Sequence, residues 1–426
     1  MSSDIAAATP VSTGASDLRT AVIVGAGLAG RWLVLTLRAE GFAGRIVWLG
    51  DEPHRAYDRP PLSKAVIQGE VPMAQLELMT EAGLAEHRVE WRAGDAVTAI
   101  DRSQRRVRTR SGAEIGYDML FLATGGRART LPGLAPHPSV LTLRTFEDAQ
   151  QIKQCLANAQ RVLVLGGGWI GLEIAASARG LGREVTVIEA APRLCVRTVP
   201  ACVSQHLLEL HTGRGVEVLL GDGVEQVLPD AQGVTVQLAS GRRLVGDVLI
   251  VGIGLVANDA LARECGLDVD NGVLTDAIGR TADPAIFAVG DVANSLRADG
   301  RRVRLESWEN AQRQAVIAAR TALGRDCDPE ADGPPWFWSD QFDDNLQLLG
   351  VPSDGLQMIE RQVPAKRQRL FFFCDGGRVR AVAAVNAGRD VKVVRKWIAQ
   401  DRFPTLDSLV DASADLNKLP LAPAGG

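Results

Sequence analysis

Apolar residues in this chain gather in short unbroken runs, each closed by glycine and followed by a longer segment of helical spacing. The first run, Ala21 to Val24, leads into Gly25, Gly27 and Gly30, and Leu28 to Ala39 then carries the pattern of a helix. A second apolar run, Arg45 to Leu49, ends just before Asp51 and Glu52. Continuous apolar runs of this length read as strands buried on both faces, the habit of parallel sheets covered by helices. The glycines stand at G-x-G-x-x-G spacing, which a dinucleotide-binding turn requires. The first allows the tight turn, the second lets backbone approach a pyrophosphate, and the third lets helix and strand pack closely. The phosphate then meets unpaired N–H groups and the positive end of the helix dipole.

The same pattern recurs at Arg161 to Gly171, with Gly166, Gly168 and Gly171 before a helix and a second strand, Glu184 to Ile188, ending at Glu189. Two strand-flanked copies about 140 residues apart, each followed by an acid placed to hold a ribose hydroxyl, predict two dinucleotide-binding folds. A carboxylate at Glu189 accepts from a free 2′-hydroxyl and repels a 2′-phosphate, which favours NADH over NADPH at the second site.

Composition narrows the class. The chain has 426 residues, 46% hydrophobic, with 44 Gly and a net charge of -4. That length suggests roughly three domains. Mild acidity without a long basic run argues against nucleic acid or an anionic membrane as partner. Apolar stretches such as Val248 to Val256 fall short of the ~18 residues that span a bilayer. Residues 1–17, rich in Ala, Ser and Thr, lack the basic and apolar regions of a secretory signal and are expected to be a disordered leader. Six scattered cysteines, at 155, 195, 202, 265, 327 and 374, include no C-x-x-C and no zinc or iron-sulfur spacing, so no metal site is expected. They fit a reducing cytoplasm.

Five further segments carry a resemblance: YDRPPLSK (57–64), LFLATGG (120–126), IFAVGD (286–291), RLESWENA (304–311) and PWFWSDQF (335–342). With the paired glycine motifs, the chain resembles the flavoprotein ferredoxin reductases that serve Rieske oxygenases and bacterial cytochromes P450, the putidaredoxin reductase and biphenyl dioxygenase reductase types. Other flavin disulfide reductases share the glycines but not YDRPPLSK or FWSDQ. The resemblance implies a glutathione-reductase-like α/β architecture: two Rossmann-type domains and an α+β C-terminal domain. The expected parts are an FAD domain over 18–127 and 254–330, an inserted NAD domain over 144–253, and a C-terminal domain over 331–426.

It also implies residue roles. Gly25, Gly27, Gly30, Asp51, Glu52, Val97, Thr124, Gly125 and Arg144 correspond to FAD contacts. Asp291, at a strand end facing the helix that follows, corresponds to the aspartate on the ribityl chain. Lys64 matches a lysine beside the flavin ring, where positive charge stabilises reduced flavin, and Glu173 its partner on the nicotinamide side. Trp308 matches a residue against the flavin. Gly166, Gly168, Ile170, Gly171, Glu189, Arg197 and Gly252 correspond to NADH contacts. In the VGIGLVAND stretch Ala257 stands where the family often has proline. Trp32 and Trp48 occupy places that the pattern does not explain.

No cysteine precedes Cys155, so the reactive thiol pair that disulfide reductases of this superfamily carry beside the flavin is missing. Reduced flavin is therefore expected to pass electrons outward to a 2Fe-2S ferredoxin that brings its own iron. Rubredoxin, oxygen, or binding of FAD and NADH without turnover are the alternatives left open. Arg301, Arg302, Arg304, Arg313, Lys392, Arg395 and Lys396 are the cations expected to steer an acidic ferredoxin.

Overall fold

The computed structural model describes residues 19–69, 71–329 and 333–422; the expected leader lies outside them. The chain forms two compact units. The first comprises the described residues through Tyr57 with Glu77–Gly126 and Ala257–Pro329. Its centre is a five-stranded parallel sheet in the order Ile286–Ala288, Met119–Leu122, Thr20–Val24, Arg45–Leu49, Val89–Arg92. Both faces are covered, which is why the strand runs are unbroken. Ala21 and Ile23 enter one apolar cluster with Leu33, Leu37 and Ala315 from helices Leu28–Ala39 and Trp308–Ala322, while Val22 and Val24 enter another on the opposite face.

The second unit gathers Asp58–Leu76, Arg127–Val256 and the described residues from 333 onward. It holds a second five-stranded parallel sheet, ordered Glu217–Leu220, Glu184–Glu189, Arg161–Leu165, Val248–Val251, Val140–Thr142. Here too the alternation divides between two cores, Val162 and Val164 in one, Leu163 and Leu165 in the other. An antiparallel five-stranded sheet, from Trp336–Gln341 to Gln368–Asp375 and its neighbours, carries helix Gly388–Gln400 and forms the α+β C-terminal part.

This grouping differs from the three-part division expected from sequence. Segment 58–76, expected with the FAD domain, belongs to the second unit because Ile67 is buried there with Ile152 and Leu156. The NAD and C-terminal parts share one unit because Leu346, Phe371 and Phe373 enter the same apolar cluster as Val187 and Leu207. Among the described residues no helix is long and apolar enough to cross a membrane.

The two glycine turns are built alike. Gly25 and Gly166 have φ of +117° and +108°, and a Cβ on them would lie 2.1 Å from the Ala123 carbonyl oxygen and 2.4 Å from that of Gly252. A Cβ on Gly30 or Gly171 would lie 2.5 Å or 2.1 Å from the carbonyl oxygen of the turn's own first glycine. The backs of the turns differ. Trp48, fully buried, donates its indole Nε1–H to the Gly25 carbonyl at 2.9 Å and stands edge-on to Trp91. The indole thus pins the turn, while Trp32 packs partly buried against the neighbouring core. Replacing Trp48 by Phe removes that bond from a buried site, so stability should fall by about 1–3 kcal/mol. Thermal unfolding and FAD retention on dilution measure it, and an unchanged melting midpoint would count against the pin.

Candidate functional site

Helices Leu28–Ala39 and Trp169–Gly180 begin at Gly27 and Gly168, neither with a side-chain cap nor with an acid in the first turn. Their first N–H groups therefore lack the usual side-chain acceptor, and a Cβ on Gly27 or Gly168 would meet nothing within 4 Å. Open space before an uncapped helix end suits a pyrophosphate. On this ground both turns fit a dinucleotide.

Around the first turn, the LFLATGG segment runs directly behind Gly25, with the Ala123 N–H donating to the Val24 carbonyl at 2.8 Å. Thr124 and Asn258 exchange hydrogen bonds, hydroxyl to Asn258 carbonyl at 2.8 Å and amide to Thr124 carbonyl at 3.0 Å. That reciprocal pair fixes the loop where proline is missing at Ala257. Gly125, φ +61°, accepts from the Asn258 N–H. Glu52 follows strand Arg45–Leu49 and accepts the Tyr57 hydroxyl at 2.5 Å, so the tyrosine that opens YDRPPLSK orients the acid. Asp51 is exposed beside it. The Val97 side chain is buried in the core, which leaves only its backbone to meet a ligand.

Asp291 lies in the 3-10 turn Gly290–Val292 just beyond strand Ile286–Ala288. Gln314 accepts the Gly290 N–H at 2.8 Å and holds this turn. The cap of helix Trp308–Ala322 is Ser307, whose hydroxyl accepts from the Asn310 N–H, and Trp308 is its first residue. These residues all belong to the first unit.

The second turn is buttressed by its acid. Glu189 accepts the Gly167 N–H through Oε2 and the Ala191 N–H through Oε1, both at 2.7 Å. Two backbone bonds aim the carboxylate and leave further lone pairs for a hydroxyl. Cys195 lies under the turn, its N–H donating to the Gly167 carbonyl at 2.9 Å. Arg197 is exposed, with its guanidinium 3.4 Å from where a Gly254 Cβ would stand. Ile170, in the first turn of the helix, is 45% exposed, an apolar surface at the mouth of the cradle. Gly252 backs the turn through its N–H to the Leu165 carbonyl.

Lys64 and Arg144, expected with the FAD contacts, belong to the second unit. Pro60 and Pro61 start a 3-10 turn, Pro60–Ser63, that delivers Lys64. Its ammonium lies 3.1 Å from Glu173 Oε1, and the two side chains are 20% and 6% exposed. Ser63 donates to Glu173 Oε2 at 2.5 Å and Ser339 to Oε1 at 2.7 Å. A buried carboxylate needs such donors. The sequence expectation named Lys64 and Glu173, which the structure pairs, but neither serine, although Ser63 lies within YDRPPLSK and Ser339 within PWFWSDQF. Arg144 offers its carbonyl to Arg59 and its N–H to Asp148.

The expected docking cations fare unevenly. Arg304 is a correction: its side chain is 8% exposed and binds the Asp291 carbonyl, Asn271 and Glu306, so it supports the Asp291 turn from inside. Arg302 donates to the carbonyls of Thr275 and Asn294, and exposed Arg301 is paired with Asp299 at 2.6 Å. Arg313 and Arg395 are half-buried, whereas Lys392 and Lys396 are exposed on helix Gly388–Gln400.

Residues 19–315 match the pyridine nucleotide-disulphide oxidoreductase family, and residues 336–420 match the reductase C-terminal family. Among solved structures, the ferredoxin reductase for the CYP199A2 system from Rhodopseudomonas palustris is 36% identical with a TM-score of 0.88, covering 94% of this chain and 99% of its own. The putidaredoxin reductase in its covalent complex with putidaredoxin is also 36% identical, TM-score 0.87, over 94% of this chain and 97% of that one. A water-forming NADH oxidase from Lactobacillus brevis shares the fold at 20% identity, TM-score 0.81, over 94% of this chain and 97% of that one. With a family match over most of its length and ferredoxin reductases 36% identical along nearly all of it, the chain belongs to the pyridine nucleotide-disulphide oxidoreductase family and, within it, to the FAD- and NAD(P)H-dependent ferredoxin reductases.

Proposed function

We propose that the protein oxidises NADH and reduces a 2Fe-2S ferredoxin that supplies a P450 monooxygenase or a Rieske dioxygenase. One NADH and two oxidised ferredoxins give NAD+, one proton and two reduced ferredoxins. Bound FAD supplies the change in stoichiometry, since it takes two electrons together and releases them singly.

The observation that carries this reading is the state of the thiols. All six cysteines are free. Burial pushes Cys195 up to about 12 and Cys374 up to about 11, and it also raises Cys155, Cys202 and Cys265. Thiols so held are poor nucleophiles, which disfavours a disulfide relay and supports direct transfer to an external carrier. Free cysteines also suit the cytoplasm.

Each nucleotide has its own cradle in this reading. Gly25, Gly27 and Gly30 receive the FAD pyrophosphate at the helix end, Glu52 and Asp51 its ribose, and Asp291 its ribityl chain; Thr124, Gly125, Val97, Arg144 and Trp308 complete the contacts. Gly166, Gly168, Ile170, Gly171 and Gly252 receive NADH, with Glu189 on the ribose and Arg197 on ribose or phosphate. Lys64, paired with Glu173, places positive charge for the reduced flavin. Exposed Lys392 and Lys396 are the strongest remaining candidates for steering an acidic ferredoxin, with Arg301 a third.

Anaerobic NADH should bleach the bound flavin, and NADH-driven reduction of 2Fe-2S ferredoxins should outrun that of rubredoxin, quinone and oxygen. Ferredoxin turnover no faster than those controls would refute the acceptor. Glu189→Gln keeps an acceptor for the Gly167 N–H but removes the charge that repels a 2′-phosphate. The ratio of kcat/KM for NADH over NADPH should therefore fall about tenfold, a change of ~1.4 kcal/mol. Lys392→Glu with Lys396→Glu should raise the ferredoxin KM several-fold and flatten its salt dependence while NADH-to-flavin transfer stays unchanged. A salt profile identical to that of the unaltered protein would remove this face from the docking surface.

A further inference from the structure

Behind Glu173 runs a chain of buried polar side chains that reaches past the Lys64 pair. Strand Trp336–Gln341 alternates, so that Phe337, Ser339 and Gln341 share one face and Trp336, Trp338 and Asp340 the other. Phe337 packs on Trp169 at 4.9 Å between ring centres. Ser339, fully buried, donates to Glu173; Gln341, 2% exposed, donates through Nε2 to the Ser339 oxygen at 3.0 Å. The Gln341 amide oxygen in turn meets His211 Nε2 at 2.8 Å, and His211 is also fully buried.

The imidazole sets the sense of this chain. Burial holds His211 below its ordinary value and so favours the neutral ring. Its Nδ1 is buried with no hydrogen-bond partner among the described residues. A proton on Nδ1 would be an orphaned donor, rarer in proteins than an orphaned acceptor, so the proton belongs on Nε2. Then Nε2–H donates to the Gln341 oxygen, the amide N–H is turned toward Ser339, and the Ser339 oxygen is occupied as an acceptor. Its hydroxyl proton has one acceptor left, Glu173 Oε1. Every bond from His211 inward thus points at the carboxylate.

Asp340, the next residue along the strand and on its other face, gives this direction a consequence. Its Oδ2 lies 3.6 Å from the Lys64 ammonium, which is 3.1 Å from Glu173. Lys64 therefore stands between two carboxylates, one buried and pinned by two hydroxyls, the other 45% exposed. We propose that Ser339 is a positioning residue that holds Glu173 in place to keep Lys64 from drifting to Asp340, and that Gln341 and His211 fix the direction in which the Ser339 hydroxyl donates. The inference rests on the reading that Lys64 and Glu173 serve the flavin, and it gives the SDQ triplet of the C-terminal part a role in that site.

The test combines spectroscopy of the unaltered protein with stopped-flow reduction of the holoenzyme. In 15N-histidine NMR, His211 should be the neutral Nε2–H tautomer at pH 7; an Nδ1–H tautomer or an imidazolium would overturn the chain's direction. Ser339→Ala should slow flavin reduction several-fold at saturating NADH, leave the NADH Kd unchanged and lower the flavin midpoint potential. Adding Asp340→Asn to Ser339→Ala removes the rival carboxylate and should recover most of the rate, while Ser339→Thr, which keeps the hydroxyl, should stay near the unaltered value. Lys64→Met separates the two levels. If it slows reduction while Ser339→Ala does not, the positioning role alone is refuted. If it leaves the rate unchanged, the Lys64 reading falls and takes this inference with it.

Discussion

Both nucleotide folds depend on a separation too small for a methyl group. Strand end, turn and helix meet so closely that a carbonyl oxygen lies 2.1 to 2.5 Å from where a Cβ would stand on Gly25, Gly30, Gly166 and Gly171. This contact lets the uncapped helix end face open space rather than its own side chains. It also dictates that what supports the turn must come from behind. In the first copy the support is an indole; in the second it is the Glu189 carboxylate on the backbone N–H groups. One backbone solution has thus acquired two different buttresses, one apolar with a single donor, the other anionic.

A second constraint organises the other unit. A carboxylate as buried as Glu173 is costly unless its lone pairs are taken and its charge is met. The donors come from two distant stretches of chain, Ser63 with Lys64 on one side and Ser339 on the other. Ser177 on that helix adds a bond to the Ser63 carbonyl at 2.8 Å. The polar site and the apolar cluster around Ile67 therefore hold the same short segment within the second unit, so positioning of the site and cohesion of the unit are one arrangement.

Much of this was legible in the sequence where the signal is local. Helix Leu28–Ala39 and strand Arg45–Leu49 have the bounds that the apolar runs and glycines predict, because glycine spacing and burial on both faces act within a few residues. The two parallel sheets and the α+β end follow the resemblance. Features set by long-range packing were not legible. Nothing within 58–76 says that Ile67 is buried beside Ile152. The run of arginines at 301–304 reads as surface charge until Arg304 is seen folded inward onto the Asp291 carbonyl. Trp48 acquires meaning only from the carbonyl beneath it, 23 positions earlier. Ser339 lay within a conspicuous motif, yet its role depends on Glu173, 166 positions away.

The interleaving of the two units also bears on how the protein is made. The chain passes from one unit to the other five times, at 57/58, 76/77, 126/127, 256/257 and 329/330. The first sheet has its central strands early, but its edge strand, Ile286–Ala288, pairs with Met119–Leu122 only after all five strands of the second unit's parallel sheet have been synthesised. At about 5–20 residues per second that is a wait of roughly 10–30 s. During it, the apolar edge of Met119–Leu122 stands open on a growing chain. The sequence order that places one nucleotide fold inside the other therefore makes an exposed, unpaired strand an obligatory stage of biosynthesis, one that folding helpers must shelter or that slow expression must tolerate.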